Sequence, residues 1–178
     1  EECVNKHSNF INECKKFKDW LNIEKEKLHE CEDVSGEKPE ILRKINVLNA
    51  LKNNETEGSK LLDEIRELSI GVSKSTSQAG NEIIQADINQ LQNELRAFLK
   101  NLANAEVKQQ HTLKQWENFE NRSDLIMNWL KNAESALREQ ILLSDLSEKE
   151  SQLENYIKKR DEVTAKEKEI DESLKNYY

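Results

Sequence analysis

The sequence contains very few residues that break helices. Its 178 residues include 4 Gly and 1 Pro, whereas sheet proteins use Gly, Pro and Asn in many tight turns. Apolar residues make up 35% and aromatic residues 6%, and an ordinary compact domain is about 45–50% apolar. These deficits exclude most β-rich architectures. They favour long helices in thin bundles, which need little core for their length.

Long apolar runs and an excess of basic charge are also missing. No stretch approaches the roughly 20 apolar residues of a membrane-spanning helix, and residues 1–7 lack the features of a signal peptide. The 35 acidic residues outnumber the 27 basic ones, which gives a net charge of −8. Because nucleic acids and anionic lipids require a basic face, we expect no nucleic-acid partner and no direct membrane contact.

The cysteines are few and poorly placed for disulfides. If Cys3, Cys14 and Cys31 share one helix, the nearest two lie about 16 Å apart, which is beyond disulfide reach. A reducing compartment is the simplest setting, and we expect a cytoplasmic location.

Two turns divide the first part of the chain. Gly36 and Pro39 mark one turn at 33–39, and Gly71 and Gly80 flank another in the polar stretch 73–78. Pro39 suits the first position of a helix. We expect Gly58 to soften that helix.

A third turn is predicted at 144–150, where Ser147 and Glu150 form a capping box. The chain therefore reads as helices at about 1–33, 39–72, 77–142 and 147–178.

The long third helix carries an apolar stripe whose phase changes. The stripe advances in steps of three and four through Leu95 and Phe98, as a bundle seam requires. Gln109, Gln110 and His111 then occupy the inward positions, and the stripe resumes one step later. A phase change inside an unbroken helix turns the apolar face towards other neighbours. One helix is therefore expected to serve two bundles, with the boundary at about residue 112.

The sequence also repeats itself. A shift of 109 residues aligns the Trp20-Leu21 pair with Trp129-Leu130, Phe17 with Ile126, and further apolar positions on either side. Such self-similarity is typical of stacked structural repeats.

This pattern resembles a spectrin-repeat array, which has a similar period, a Trp-Leu pair in the first helix and a helical linker between units. The resemblance implies an all-α fold of three-helix bundle repeats in an elongated rod joined by a continuous helix. Residues 1–112 would form one repeat, with helices at about 1–33, 39–72 and 77–112. Residues 113–178 would form the first two helices of a second repeat.

Among spectrin-repeat proteins, the chain looks most like the nuclear-envelope nesprins, with plakin or dystrophin-type rods as the second choice. Spectrins proper usually have a Trp in the third helix, where this chain offers Leu95 and Phe98. The resemblance implies a scaffolding rod segment of a large cytoskeletal linker, acting as a spacer and docking platform between actin and the nucleus or a membrane. It implies cytoskeletal or actin-regulatory partners, such as a formin-type factor. It also implies a place at the cytoplasmic face of the outer nuclear membrane, reached through the parent protein.

The expected core consists of apolar positions that recur between the repeats or follow the stripe. They are Phe10, Phe17, Trp20, Leu21, Leu28, Leu95, Phe98, Trp116, Phe119, Trp129, Leu130 and Leu137.

Two places are candidates for binding a partner. One is the inter-repeat segment Gln109, Gln110 and His111, where the phase change would free polar groups; a solvated linker is the alternative. The other is the seam of the second helix pair, because two helices alone leave apolar rows open. A third helix in a longer parent, another chain or a second copy in a homodimer would cover this seam. Its candidate residues are Leu153, Ile157, Ile170 and Leu174.

No set of residues predicts catalysis. Cys3 and His7 are four residues apart, but no second pair completes a set of metal ligands. Charged pairs such as Glu24 with Lys27 are expected on solvated helix faces. We expect the chain not to be an enzyme and to hold no metal or cofactor.

Overall fold

The computed structural model describes residues 2–138 and 145–175, except for the side chains of residues 3, 136–138 and 173–175. All regular secondary structure in these ranges is helical, so the predicted all-α fold is confirmed. The five helices are α1 (Glu2–Glu30), α2 (Lys38–Asn53), α3 (Glu55–Ser73), α4 (Gln78–Arg138) and α5 (Leu146–Lys175).

The chain divides into two compact units. Unit 1 comprises Glu1–Trp116 and unit 2 comprises Glu117–Tyr178, so the division falls a few residues beyond the expected boundary at 112. Helix α4 has no break in its 61 residues and contributes to both units.

Unit 1 is a bundle of three helical segments, namely α1, α2 with α3, and the first part of α4, and the contacts between them fix their directions. Lys25 of α1 bonds to Glu94 of α4, and His7 lies beside Thr76 just before α4 begins. Helices α1 and α4 therefore run parallel. Glu24 of α1 bonds to Asn54, between α2 and α3. Lys44, earlier in α2, bonds to the loop after α1, and Gly58, later in the chain, lies against Trp20, earlier in α1. Both shorter helices therefore run antiparallel to α1.

The core of unit 1 forms along the facing stripes of these helices, as the spacing of apolar residues predicts. Its buried cluster is Phe10, Phe17, Leu21, Leu28, Cys31, Leu48, Leu51, Leu62, Ile65, Val72, Ile84, Ile88, Leu91, Leu95, Phe98, Leu102 and Ala105.

The helices of unit 1 end at the two turns expected from the sequence. Gly36 adopts a φ of 121°, which side-chain-bearing residues rarely adopt. Pro39 lies in the first turn of α2, where its missing amide hydrogen costs nothing. The second turn joins Ser73 at the end of α3 to Gln78 at the start of α4.

The segment formed by α2 and α3 is interrupted at a position that the sequence did not predict. A single helix over 39–72 with a soft point at Gly58 was expected, but the interruption falls at Asn54. Gly58 lies inside α3 and is buried. The expectation treated Gly58 as a weak helix former, whereas its role in the fold is to admit a neighbouring side chain.

Unit 2 contains the last part of α4 and the whole of α5. Helix α5 begins at Leu146 rather than at Ser147, and the amide of Leu146 donates to the Asp145 carboxylate. Ser147 therefore lies inside the first turn and not at the predicted cap. Residues 139–144, which separate α4 from α5 in the sequence, lie outside the described residues.

Candidate functional site

A buried polar cluster ties the loop between α1 and α2 to the rest of unit 1. The side-chain amide of Gln109 in α4 donates to the carbonyl oxygens of Cys31 and Asp33 at 2.7 and 2.8 Å. The Lys44 ammonium in α2 donates to the carbonyl oxygens of Asp33 and Ser35 at 2.8 and 3.0 Å. We call Gln109, Lys44 and the loop 31–35 the polar clasp. It satisfies carbonyl groups that the end of α1 leaves without helical partners.

The clasp contains charge that is almost fully removed from water. Lys44 is 3% exposed, and its ammonium lies 3.8 Å from the Asp33 carboxylate and 3.6 Å from the Glu40 carboxylate. A buried cation needs such partners. The Ser35 hydroxyl and amide donate to Asp33 and, with Lys44, hold the pKa of that carboxyl below its usual range.

The clasp corrects the prediction for Gln109, whose amide is not freed for a partner; for Gln110 and His111, partner binding stays a prediction. Gln109 is fully buried, and its amide is used inside unit 1. The Gln109 carbonyl oxygen is buried too and has no hydrogen-bond partner. Gln110 and His111 are exposed. The polar residue at an inward position is thus a structural connection.

A second buried charge lies beside the interruption between α2 and α3. Glu24 of α1 is 3% exposed. Its carboxylate accepts hydrogen bonds from Lys27 at 2.6 Å and from the side-chain amide of Asn54 at 3.2 Å. The expectation that the Glu24–Lys27 pair lies on a solvated face is therefore wrong for Glu24. The carboxylate connects α1 to the point where α2 ends and α3 begins.

One helical turn away, Trp20 packs against the backbone of α3. Its indole lies 5.9 Å from the Phe17 ring, centroid to centroid, and covers Gly58. A methyl group added at Gly58 would lie 2.7 Å from one indole carbon and 3.2 Å from another, with a third closer still. Glycine is required here because the indole occupies the space of a side chain.

Unit 2 leaves several large apolar side chains of its two helices exposed to water. Phe119, Leu130, Leu153 and Ile157 are 43–60% exposed, and Ile170 is partly buried. The sequence placed Phe119 and Leu130 in a core, and this is incorrect for the described structure. Two helices bury one face each, so apolar residues on the flanking faces stay in water.

The other expected core residues differ in burial between the units. Phe10, Phe17, Leu21, Leu28, Leu95 and Phe98 are buried. Trp20, Trp116 and Trp129 are partly buried. The side chains of Leu137 and Leu174 lie outside the described residues.

The described residues offer no arrangement for metal binding. No group of three or more His, Cys, Asp or Glu side chains among them could hold a metal ion. Cys14 and Cys31 are free thiols, and burial raises the pKa of each. None of the helices in the described ranges is both long enough and apolar enough to span a membrane.

The chain is similar to part of one very large animal protein. It is 39% identical over 171 residues to the muscle-specific protein 300 kDa of Drosophila melanogaster. The alignment covers 96% of this chain but only 1% of the length of that relative. No family model and no solved structure matches the chain. The similarity, joined to the helical bundle of unit 1, supports the resemblance to spectrin-like helical repeat proteins.

Proposed function

We propose that this chain is a structural segment of a large cytoskeletal linker protein, in which it maintains spacing and carries tension. The observation that carries the proposal is the similarity to the muscle-specific protein, which extends over nearly the whole chain. The relative is far longer than the matched region, as expected if such a segment is one of many in an extended array.

The structure of unit 1 supports this role physically. Polar side chains connect its helices: the polar clasp fixes the α1–α2 loop, and Lys52 of α2 pairs with Glu106 of α4 at 2.9 Å. These bonds hold the helices of one unit together, as a segment under tension requires. The proposal assigns the chain no catalytic role.

At a finer level, the proposal is a spacer and protein-docking platform of the nesprin type, placed between actin filaments and the nucleus or a membrane. Its partners would be cytoskeletal or actin-regulatory proteins, including formin-type factors. Its location would be the cytoplasm, at the outer nuclear membrane through the parent protein. The support is the resemblance stated above and the acidic, charged surface that a cytoplasmic scaffold presents.

A replacement experiment separates spacing from docking. In the parent protein, the segment is exchanged for an unrelated helical bundle of matched length, and the separation of the structures it connects is measured by super-resolution imaging. A spacer tolerates the exchange. A platform loses its partner, and point changes on exposed helix faces then reproduce the loss without a loss of helicity. If deletion of the segment alters neither spacing nor partners, the structural proposal is wrong.

A second candidate function is association through unit 2. It is favoured by the exposed apolar residues on both helices of that unit, including Leu125 and Leu146, which are 69% and 70% exposed. Exposed apolar residues mediate protein contacts where they group into a patch. The unit would accept a further helix from a partner or from a second copy.

Sedimentation velocity tests this candidate. The chain is expected to self-associate with increasing concentration, and Leu153→Asp with Ile157→Asp should reduce association without loss of helicity. Gln110→Asp, at an exposed polar position, is the matched control. A monomer at all concentrations, together with no binding of an apolar dye, would reject the idea.

A further inference from the structure

Helix α2 is joined to other elements by polar side-chain bonds. Lys44 donates to the carbonyl oxygens of Asp33 and Ser35, and Lys52 bonds to Glu106 of α4 at 2.9 and 3.1 Å. Four large apolar side chains of α2 are also buried within its 16 residues: Ile41, Ile45, Leu48 and Leu51. Opening α2 therefore breaks the clasp, an interhelical ion pair and an apolar face together.

Helix α3 is joined to its neighbours in a different way. The hydrogen bonds that its side chains donate are local in the described structure: Arg66 to Asp63, the Ser69 hydroxyl to the carbonyl of Arg66, and Thr56 to the carbonyl of Asn53. Of the five buried residues in its 19, two are small, Gly58 and Ser69.

The backbone of α3 is also less favourable for a helix. It contains Gly58 and Gly71, and a glycine inside a helix costs about 0.5–1 kcal/mol relative to alanine. The Asn54 that precedes α3 makes no side-chain cap with it. Its side chain bonds instead to Glu24 of α1. The interruption thus marks a boundary at which α3 can separate while α2 stays bound.

We propose that α3 is a releasable segment of unit 1, which opens from Asn54 to the turn at 74–77 while α2 and the polar clasp stay in place. Local opening of contiguous units below the global unfolding free energy is a general property of native proteins. Helix α3 spans about 28 Å at 1.5 Å per residue, and its chain extends to about 65 Å. Because Gln109 of α4 stays bonded to the α1–α2 loop in this state, the released chain lengthens without separating the two ends of unit 1.

Peptide-resolved hydrogen exchange on the full chain at rest tests the inference. In the unaltered protein, amides around Leu62 and Ile65 should exchange about tenfold or more faster than those around Leu48 and Leu51, after correction for intrinsic rates. Equal exchange rates in the two helices, after the same correction, would overturn the proposal.

A pair of backbone-directed variants makes the test sharper. Ala50 lies in α2 with an exposed side chain, so Ala50→Gly weakens α2 without removing a core contact. If α3 opens alone, α2 stays folded while α3 exchanges. Ala50→Gly should then speed the exchange of α2 amides about two- to fivefold and leave the exchange of α3 amides unchanged. Gly71→Ala is the matched control: a methyl group there meets nothing within 4 Å. It should slow the exchange of α3 amides about two- to fivefold, because it stabilises the helix whose opening permits that exchange.

The alternatives give different patterns. Acceleration of both helices by Ala50→Gly means that unit 1 opens as a whole. Unchanged exchange of α3 amides in Gly71→Ala means that α3 does not exchange by unfolding. Either result overturns the inference. Because exchange is measured without load or partner, neither result bears on the scaffold proposal, which the replacement experiment tests separately.

Discussion

The contact between Trp20 and Gly58 predicts that one kind of substitution, Gly to Ala, destabilises the protein at Gly58 and stabilises it at Gly71. Gly58→Ala and Gly71→Ala each add a methyl group to a glycine inside α3. At Gly71 the added group meets nothing within 4 Å, so the helix should gain about 0.5–1 kcal/mol from the change alone. At Gly58 the same gain is opposed by the indole.

The size of the opposing effect follows from the geometry. The added methyl would lie 2.7 Å from an indole carbon, well inside van der Waals contact. Adding volume to a packed site typically costs about 1–3 kcal/mol. Because the obstructing group is a rigid ring held against Phe17, we place the cost in the upper half of this range. The expected net loss for Gly58→Ala is about 1–2.5 kcal/mol.

The free energy of unfolding of both variants is measured in urea, with far-ultraviolet circular dichroism as the signal. Amide exchange in α1 and α3 assigns the change to unit 1. A Trp20→Ala background supplies the decisive control, because without the indole Gly58→Ala should stabilise about as much as Gly71→Ala does. Equal stabilisation by both glycine changes in the unaltered background would refute the packing of Trp20 on Gly58.

Three further predictions concern the clasp and the thiols. Gln109→Leu removes two donors from buried carbonyl groups and should lower the unfolding free energy by about 1–3 kcal/mol in urea titrations; Gln110→Leu, at an exposed position, should change it by less than about 0.5 kcal/mol, and similar effects would contradict the clasp. The pKa of Asp33 is lowered in the folded state, chiefly by its bonds from Ser35, so its stabilising contribution is complete above the ordinary carboxyl pKa and is lost as the pH falls through the folded value. Asp33→Asn should therefore flatten the acid side of the stability–pH curve, and an unchanged slope would count against this. In a Cys3→Ser background, Cys31, which is 2% exposed, should react with a thiol reagent much more slowly than the partly buried Cys14 until denaturant is added. Equal native rates would show that the end of α1 is open.

Periodicity in the sequence predicted the helical fold because long amphipathic helices carry their own pattern. The stripe through Leu95 and Phe98 repeats over many turns, and both residues are buried. The turns at 33–39 and 73–78 were also predictable, since Gly and Pro have local conformational effects.

What the sequence did not predict depends on contacts between distant residues. Gln109 was recognised at an inward position, but its acceptors lie on residues 76 and 78 positions earlier in the chain. Glu24 was read with its neighbour Lys27, although its other partner, Asn54, lies 30 residues away between α2 and α3. A signal did exist for the interruption: residues 52–60 contain no large apolar residue. Gly58 was read as a local weakness because the position of Trp20 could not be known.

Stretching a single molecule by its two ends tests the tension-carrying role most directly. Unit 1 comprises 116 residues, which extend to about 400 Å. The part of α4 inside it spans about 55–60 Å while folded. The structure therefore predicts a discrete step of about 350 Å that reverses when the force is lowered. Gradual extension without a step, or failure to refold over repeated cycles, would contradict the assignment of this chain as a segment that carries tension.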